Sequence, residues 1–129
     1  NRNVVVIGRY PGLDRLWSDI RYQCLERKPL ADDLPDTAAE YCLPQADWVF
    51  ITASSIANKT LPRLLQLSRS ARVVLMGPSL PWWPHWRDFG VEYLAGVRVT
   101  DPDLLWQVVA EGGGTRLFGD AVQYCLHQF

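Results

Sequence analysis

Four short apolar runs punctuate the chain: Val4-Val5-Val6-Ile7, Trp48-Val49-Phe50-Ile51, Val73-Val74-Leu75-Met76, and the stretch from Val91 to Val99 around Gly96. Each is bounded by turn residues and is continuous rather than alternating, as strands covered on both faces of a parallel sheet are. Arg21 to Glu26 is a more mixed fifth candidate, placed nearer an edge. Between these runs the period becomes helical. Leu13, Leu16, Trp17 and Ile20 fall at i, i+3, i+4 and i+7 and give one apolar face. Leu61, Leu64 and Leu65 do the same within Thr60 to Ser70. Asp101-Pro102 predicts the start of a helix bearing Leu104, Leu105, Val108 and Val109, with Gly112 as its stop. Phe118, Ala121, Val122 and Cys125 predict a final helix, and Asp36 to Cys42 a shorter one ended by Pro44. No internal repeat, low-complexity tract or linker interrupts the alternation. The expectation is a single α/β domain over residues 1–129, Rossmann-like and three-layered (αβα), whose mostly parallel sheet has about five strands.

Composition narrows the class. A chain of 129 residues with 48% hydrophobic and 21% charged residues can bury a core and is unlike a disordered one. Thirteen basic residues face 14 acidic ones with no Lys/Arg-rich run, which argues against nucleic acid as a partner. The apolar runs fall far short of the roughly 20 residues of a membrane-spanning helix, so no membrane partner is expected. With no signal-peptide pattern, the cytoplasm is the expected compartment. The first residue is Asn1 rather than Met, and a strand follows almost at once, so the segment reads as part of something longer. Cys24, Cys42 and Cys125 are odd in number and widely spaced, as reduced thiols packed like small hydrophobes are. No CxxC or HxxxH spacing occurs, and no orienting carboxylate for His85 or His127 is obvious from the sequence, so no metal ligand is expected.

Open parallel sheets bind ligands beyond the carboxyl ends of their strands, near the topological switch point. The loops leaving the predicted strands are correspondingly polar or glycine-rich. Gly8-Arg9-Tyr10-Pro11-Gly12 lacks the three glycines of a dinucleotide fingerprint. Glu26 stands roughly 20 residues beyond Gly8, where a carboxylate grips ribose-like hydroxyls; it can equally pair with Arg27 or Lys28. In the loop from Thr52 to Thr60, the groups of Thr52, Ser54, Ser55, Asn58 and Thr60 precede a helix and can cradle a ligand. Asn58 or Thr60 can also simply cap that helix. Gly77-Pro78-Ser79 is a stiff turn whose glycine lets a ligand approach the backbone. Tyr10 completes the set of candidate ligand-binding residues. Trp82, Trp83 and Trp86 beside His85 form either an aromatic wall for a flat heterocycle or a docking surface.

Several of these segments together resemble a known family. Ala46-Asp47 with Ile51-Thr52, Asn58-Lys59-Thr60-Leu61, Gly77-Pro78-Ser79-Leu80-Pro81, Gly90-Val91 with Leu94-Ala95-Gly96 and Asp101, and also Glu26 and Leu34-Pro35-Asp36, carry the likeness. The chain resembles the C-terminal Rossmann-like domain of the putative heavy-metal chelation proteins, a family without established biochemistry. The resemblance implies a fold similar to methyltransferases and a preceding enolase-N-terminal-like domain, with a site in the cleft between the two. It also implies metal chelation, or chemistry on a pterin-, flavin- or siderophore-like compound. That preceding domain is not within these residues, so half of such a cleft would lie elsewhere.

Three readings follow. The leading one is a small-molecule-binding domain handling a metal chelate or chelator, its cofactor unspecified. The second is an enzyme, either methyltransferase-like and using S-adenosylmethionine, or a hydrolase or condensing enzyme. The third is an interaction module docking through Trp82 to Trp86, with the enolase-N-terminal-like domain or a second copy as partner.

Overall fold

All four continuous apolar runs are strands, and they form the centre of one sheet in the computed structural model, which describes residues 2–129. The chain runs β1 (Val4–Ile7), α1 (Leu13–Leu16), β2 (Gln23–Glu26), β3 (Leu34–Pro35), α2 (Ala39–Cys42), β4 (Trp48–Thr52), α3 (Ser54–Ala57) and α4 (Leu61–Leu67). It continues through β5 (Arg72–Met76), a 3-10 segment (Pro84–Phe89), β6 (Val91–Val99), α5 (Pro102–Ala110) and β7 (Val122–Gln128). The sheet is the mostly parallel one expected of an α/β fold, but with seven strands rather than about five, ordered β3-β2-β1-β4-β5-β6-β7; the short β3 and the terminal β7 are the additions. Only β7 is antiparallel. From β1 the chain moves outward to β2 and β3, then crosses back to β4 on the other flank of β1. The switch point therefore lies between β1 and β4.

Val5, Val49 and Val73 stand in register across β1, β4 and β5, each at most 1% exposed. On that face Ala39, Leu43, Leu61, Leu64 and Leu65, from α2, α4 and the turn between α2 and β4, complete the main core. Each buried aliphatic chain contributes about 1.5–3 kcal/mol. That burial is what holds one-turn helices in place, because a helix so short has no stability alone.

The opposite face is more thinly covered. Trp17, just past α1, meets Phe50 edge-on with ring centroids 4.8 Å apart. Trp48 stacks on Tyr93 at 5.8 Å, and the Arg72 guanidinium lies 4.4 Å over Trp48. A satellite cluster of Phe118, Ala121 and Val122 takes Leu105 and Val108 of α5 against Val97.

Two helix expectations are corrected. The predicted final helix over Phe118 to Cys125 is instead one 3-10 turn, Gly119–Ala121, followed by β7. Gly119 takes a positive φ of 48°, and from Val122 onward the chain pairs with β6 from Val99↔Val122 to Tyr93↔Gln128. Val122, Tyr124 and Leu126 alternate with polar or small residues, and this period of two wins because β6 would otherwise have no neighbour on that side. The helix predicted through Ile20 stops at Leu16, which is 78% exposed, leaving Leu13 as its single buried residue. By contrast, α5 starts as expected: the Asp101 Oδ1 accepts the Leu104 N–H at 3.0 Å, satisfying one of the first-turn donors.

Candidate functional site

A crevice of about 490 Å³ opens beyond the carboxyl ends of β1, β2 and β4, at the switch point. It brings together Glu26, Thr52, Ser54, Asn58 and Thr60, five of the residues expected from sequence. Tyr10, Gly77 and Pro78 instead line a neighbouring, mostly apolar cavity of about 360 Å³ with Gly96, Tyr124 and Cys125. Ser79 lines neither and is exposed.

Glu26 closes the floor of the crevice. Its Oε1 accepts the N–H of Arg9, and its Oε2 accepts the N–H of Arg27 at 3.2 Å. A carboxylate has about four acceptor positions, so further lone pairs remain for donors from a ligand. The Gly8 N–H donates to the Leu25 carbonyl at 2.9 Å, and the φ of +90° there turns the loop sharply out of β1. Across the crevice, Ser55 Oγ donates to the Thr52 carbonyl at 2.7 Å and Ser54 Oγ to Thr52 Oγ1 at 3.2 Å. Asn58 Oδ1 accepts both the Thr60 N–H at 3.2 Å and the Thr60 hydroxyl at 2.6 Å. The side-chain cap expected for α4 does not form: Thr60 stands at the N-cap position without a side-chain bond to the helix, and Asn58 instead closes a local turn on Thr60, which leaves its amide nitrogen free to donate. Lys59 between them has a positive φ of 66°, which strains a side-chain-bearing residue at the mouth of the crevice.

Charges missed by the sequence reading also line this crevice. Arg63 grips Glu40 with its Nε at 2.8 Å and its Nη2 at 2.6 Å, and Arg27 lies 3.9 Å from Asp36. No local motif joins α2 to α4, so nothing in the sequence signals the Arg63–Glu40 fork. With those two pairs formed, Glu26 and Lys59 are the lining charges that make no ion pair among the described residues.

Behind the β1–α1 loop, the Arg9 Nη2 meets Asp33 Oδ2 at 2.6 Å, and the Asp33 side chain is only 5% exposed. The guanidinium hydrogen bond holds the Asp33 carboxyl below the ordinary carboxylate range, although burial acts the other way. Burial, with the Asp33 charge close by, pushes the Cys24 thiol up to about 11. Burial also raises the Tyr10 phenol, and Tyr124 adds to that. Because the folded Asp33 value is depressed, its stabilisation is complete above the unfolded value of about 3.9. It is lost as pH falls through the lower folded value. Asp33→Asn is therefore expected to lower the urea midpoint at neutral pH and to flatten its fall on acidification. Parallel acid profiles for the two proteins would show that Asp33 contributes none of that dependence.

A larger cavity, about 930 Å³, lies at the other end of the thinly covered sheet face, lined by Trp17, Ile20, Tyr22, Trp48 and Phe50. Its aromatic wall is joined by Arg2, Asp19 and Arg21, and it lies away from the switch point and its hydroxyl-rich Thr52 to Thr60 loop. The Trp82 and Trp86 indoles each donate within the chain, to the carbonyls of Val97 at 3.2 Å and Pro81 at 3.0 Å.

The family described as putative heavy-metal chelation matches residues 1–127. The chain belongs to that family. A family member of unknown function from Desulfitobacterium hafniense has a crystal structure that superposes with a TM-score of 0.90 at 37% identity, covering 99% of this chain and 53% of that one. A second, from Pyrococcus horikoshii, superposes with a TM-score of 0.84 at 24% identity, over 99% of this chain and 55% of that one, and shares the fold. An uncharacterised protein of Methanocaldococcus jannaschii is 34% identical over 83 residues, 60% of this chain and 32% of that protein. The chain thus spans about half the length of its solved relatives.

The family description raises the question of metal ligands. Among the described residues, no three His, Cys, Asp or Glu side chains converge as a metal site requires. Cys24 and Asp33 are neighbours, but the Arg9 cation already occupies Asp33. His85 pairs with Asp88 at 3.1 Å on the surface. The donor set of this chain does not fit a bare ion.

Proposed function

We propose that this chain binds a small organic molecule of pterin, flavin or siderophore type in the crevice between β1 and β4, and that metal enters only as part of such a chelate. One arrangement carries the reading: Glu26, fixed by two backbone amides, faces a shell of hydroxyl and amide groups from Thr52, Ser54, Asn58 and Thr60. A carboxylate held this way accepts the N–H or O–H donors of a heterocycle or catechol. The Asn58 amide donates to its carbonyls, and Lys59 attracts an acidic tail. The hydrogen bonds are prepaid by the loop's own geometry, which keeps the ordering loss on binding small. The loop Gly8 to Gly12 has no glycine cradle for pyrophosphate, so a dinucleotide fits this crevice less well than a compact heterocycle.

Thermal unfolding against pterins, flavins, catecholate chelators, S-adenosylmethionine and free transition-metal ions tests the proposal. A ligand present at about a hundred times its Kd adds about 2.7 kcal/mol, or roughly 8–14 °C for a domain of this size. The expected result is a shift with one organic class, reduced by Asn58→Ala. A response to S-adenosylmethionine alone would replace the reading with the methyltransferase one. A response to free metal ions alone, or to nothing, would overturn it for this chain.

A further inference from the structure

The two edges of the sheet are built in opposite ways. At one edge β3 is two residues long and contains Pro35, which cannot donate a ladder hydrogen bond. At the other, β7 presents seven residues, Val122–Gln128, with no proline, glycine or charged side chain. Long, flat, uncharged edges template the addition of another strand, and proteins ordinarily blunt them. Tyr124 and Leu126 on this edge are 67% and 70% exposed.

The direction of its free hydrogen-bonding groups follows from the pairing with β6. The Phe129 N–H donates to the Glu92 carbonyl at 3.0 Å, and the Thr100 N–H donates to the Ala121 carbonyl at 2.9 Å. Both pairs are therefore of the hydrogen-bonded kind, and in an antiparallel ladder that kind recurs at every second pair. Between them fall Leu94↔His127, Gly96↔Cys125 and Arg98↔Gln123. The backbone groups of Gln123, Cys125 and His127 are spent on β6. Those of Val122, Tyr124, Leu126 and Gln128 point outward.

We infer that β7 is an interface strand, which pairs antiparallel with β7 of a second copy in the register that sets Cys125 opposite its counterpart. This two-fold register overlaps the whole strand; sliding it in either direction shortens the overlap. It places Tyr124 opposite Leu126 of the other copy in hydrogen-bonded pairs and Gln123 opposite His127, so the central pairs match apolar with apolar and polar with polar; only the end pair, Val122 opposite Gln128, is mixed. The absence of charge along β7 removes like-charge repulsion across the axis. Cys125 and its counterpart form a non-hydrogen-bonded pair with Cα atoms about 4.5 Å apart, within the range of about 4.4–6.8 Å that a disulfide spans. Cys125 is a free thiol only partly buried, so the pair is a built-in reporter of the register.

Sedimentation equilibrium, combined with thiol oxidation by diamide, tests this. The mass is expected to double from 14.7 kDa with rising concentration. Diamide is expected to trap a covalent dimer that forms when Cys24 and Cys42 are both replaced by serine and vanishes with Cys125→Ser, which itself still dimerises. Leu126→Pro removes an outward N–H and none of the bonds to β6, and is expected to weaken the dimer at least roughly tenfold. Tyr124→Lys, checked by circular dichroism for folding, should do the same through charge repulsion. A monomer at every concentration, or a dimer unaffected by both edge variants, would overturn the interface. A dimer disrupted by them whose Cys125 thiols do not cross-link would overturn the register.

Discussion

Gly8→Ala is expected to unfold the domain at a markedly lower urea concentration, with a loss of about 2–4 kcal/mol. Two penalties combine there. The φ of +90° places the new methyl group against the following peptide, and an ideal Cβ at this position would stand 2.7 Å from the Thr52 Cγ2. Neither side can give way easily: β1 and β4 are locked by the pairs from Val4↔Trp48 to Ile7↔Ile51, and Thr52 begins the polar loop of the crevice. Gly12 supplies the comparison, since it shares a positive φ of 82° but has nothing within 4 Å of its ideal Cβ. Gly12→Ala should therefore show the backbone penalty alone, about 1–2 kcal/mol. Equal losses at the two positions would remove the Thr52 collision from the account. A partial recovery of Gly8→Ala by adding Thr52→Ser, which deletes the offending methyl, would confirm it. Measured against a total stability of about 5–15 kcal/mol, the Gly8 loss is large.

Glu26→Ala should abolish ligand-dependent stabilisation while lowering intrinsic stability by about 1–3 kcal/mol, the worth of its two hydrogen bonds. The Arg9 and Arg27 N–H groups it leaves behind are near the surface and find water. Glu26→Gln separates the two roles of the side chain. The amide oxygen can still accept one backbone N–H, but its nitrogen is a donor facing another donor, and the negative charge is gone. If ligand donors bind the carboxylate, Glu26→Gln loses the thermal shift almost as completely as Glu26→Ala. A full shift retained in the Gln variant would mean that the carboxylate only shapes the loop. The decisive readout is the ligand-induced change in melting temperature in the two variants, each taken relative to its own ligand-free value.

Hydrophobic runs made the central sheet readable because β1 and β5 are buried on both faces, while β4 and β6 carry half-buried apolar side chains on their second face. The ends of the sheet were harder. Two residues of β3 leave no periodic trace, and Val122 to Gln128 fits helical spacing through Phe118, Ala121, Val122 and Cys125 while equally fitting a period of two. Only the unpaired flank of β6 decides between them, and that is a tertiary fact. Leu16 and Ile20 misled for a related reason, since the apolar face they suggest has no neighbouring layer to bury it. In the crevice, Glu26 and the Thr52 to Thr60 loop were legible because strand-end loops follow from topology. Tyr10, after β1, and Gly77 and Pro78, after β5, follow the same rule but border a separate cavity with residues of β6 and β7. The forks of Arg63 on Glu40 and Arg9 on Asp33 join distant segments, and no spacing announces them.

The order of strands also sets an order of assembly during synthesis. β2 is tied to the sheet through β1, β3 only through β2, and β1 gains its central neighbour only when Trp48 to Thr52 arrives. Before β4, the described residues supply only three short parallel strands and helices of a single turn, none of which persists in isolation. The closure entropy of that long first loop comes before any compensating burial. The segment before β4 therefore holds no unit able to bury a core by itself, and the apolar β1 stays open on one flank until β4 pairs with it. β4 is the strand that joins the β1–β3 side of the sheet to the β5–β7 side, so the main core cannot close without it.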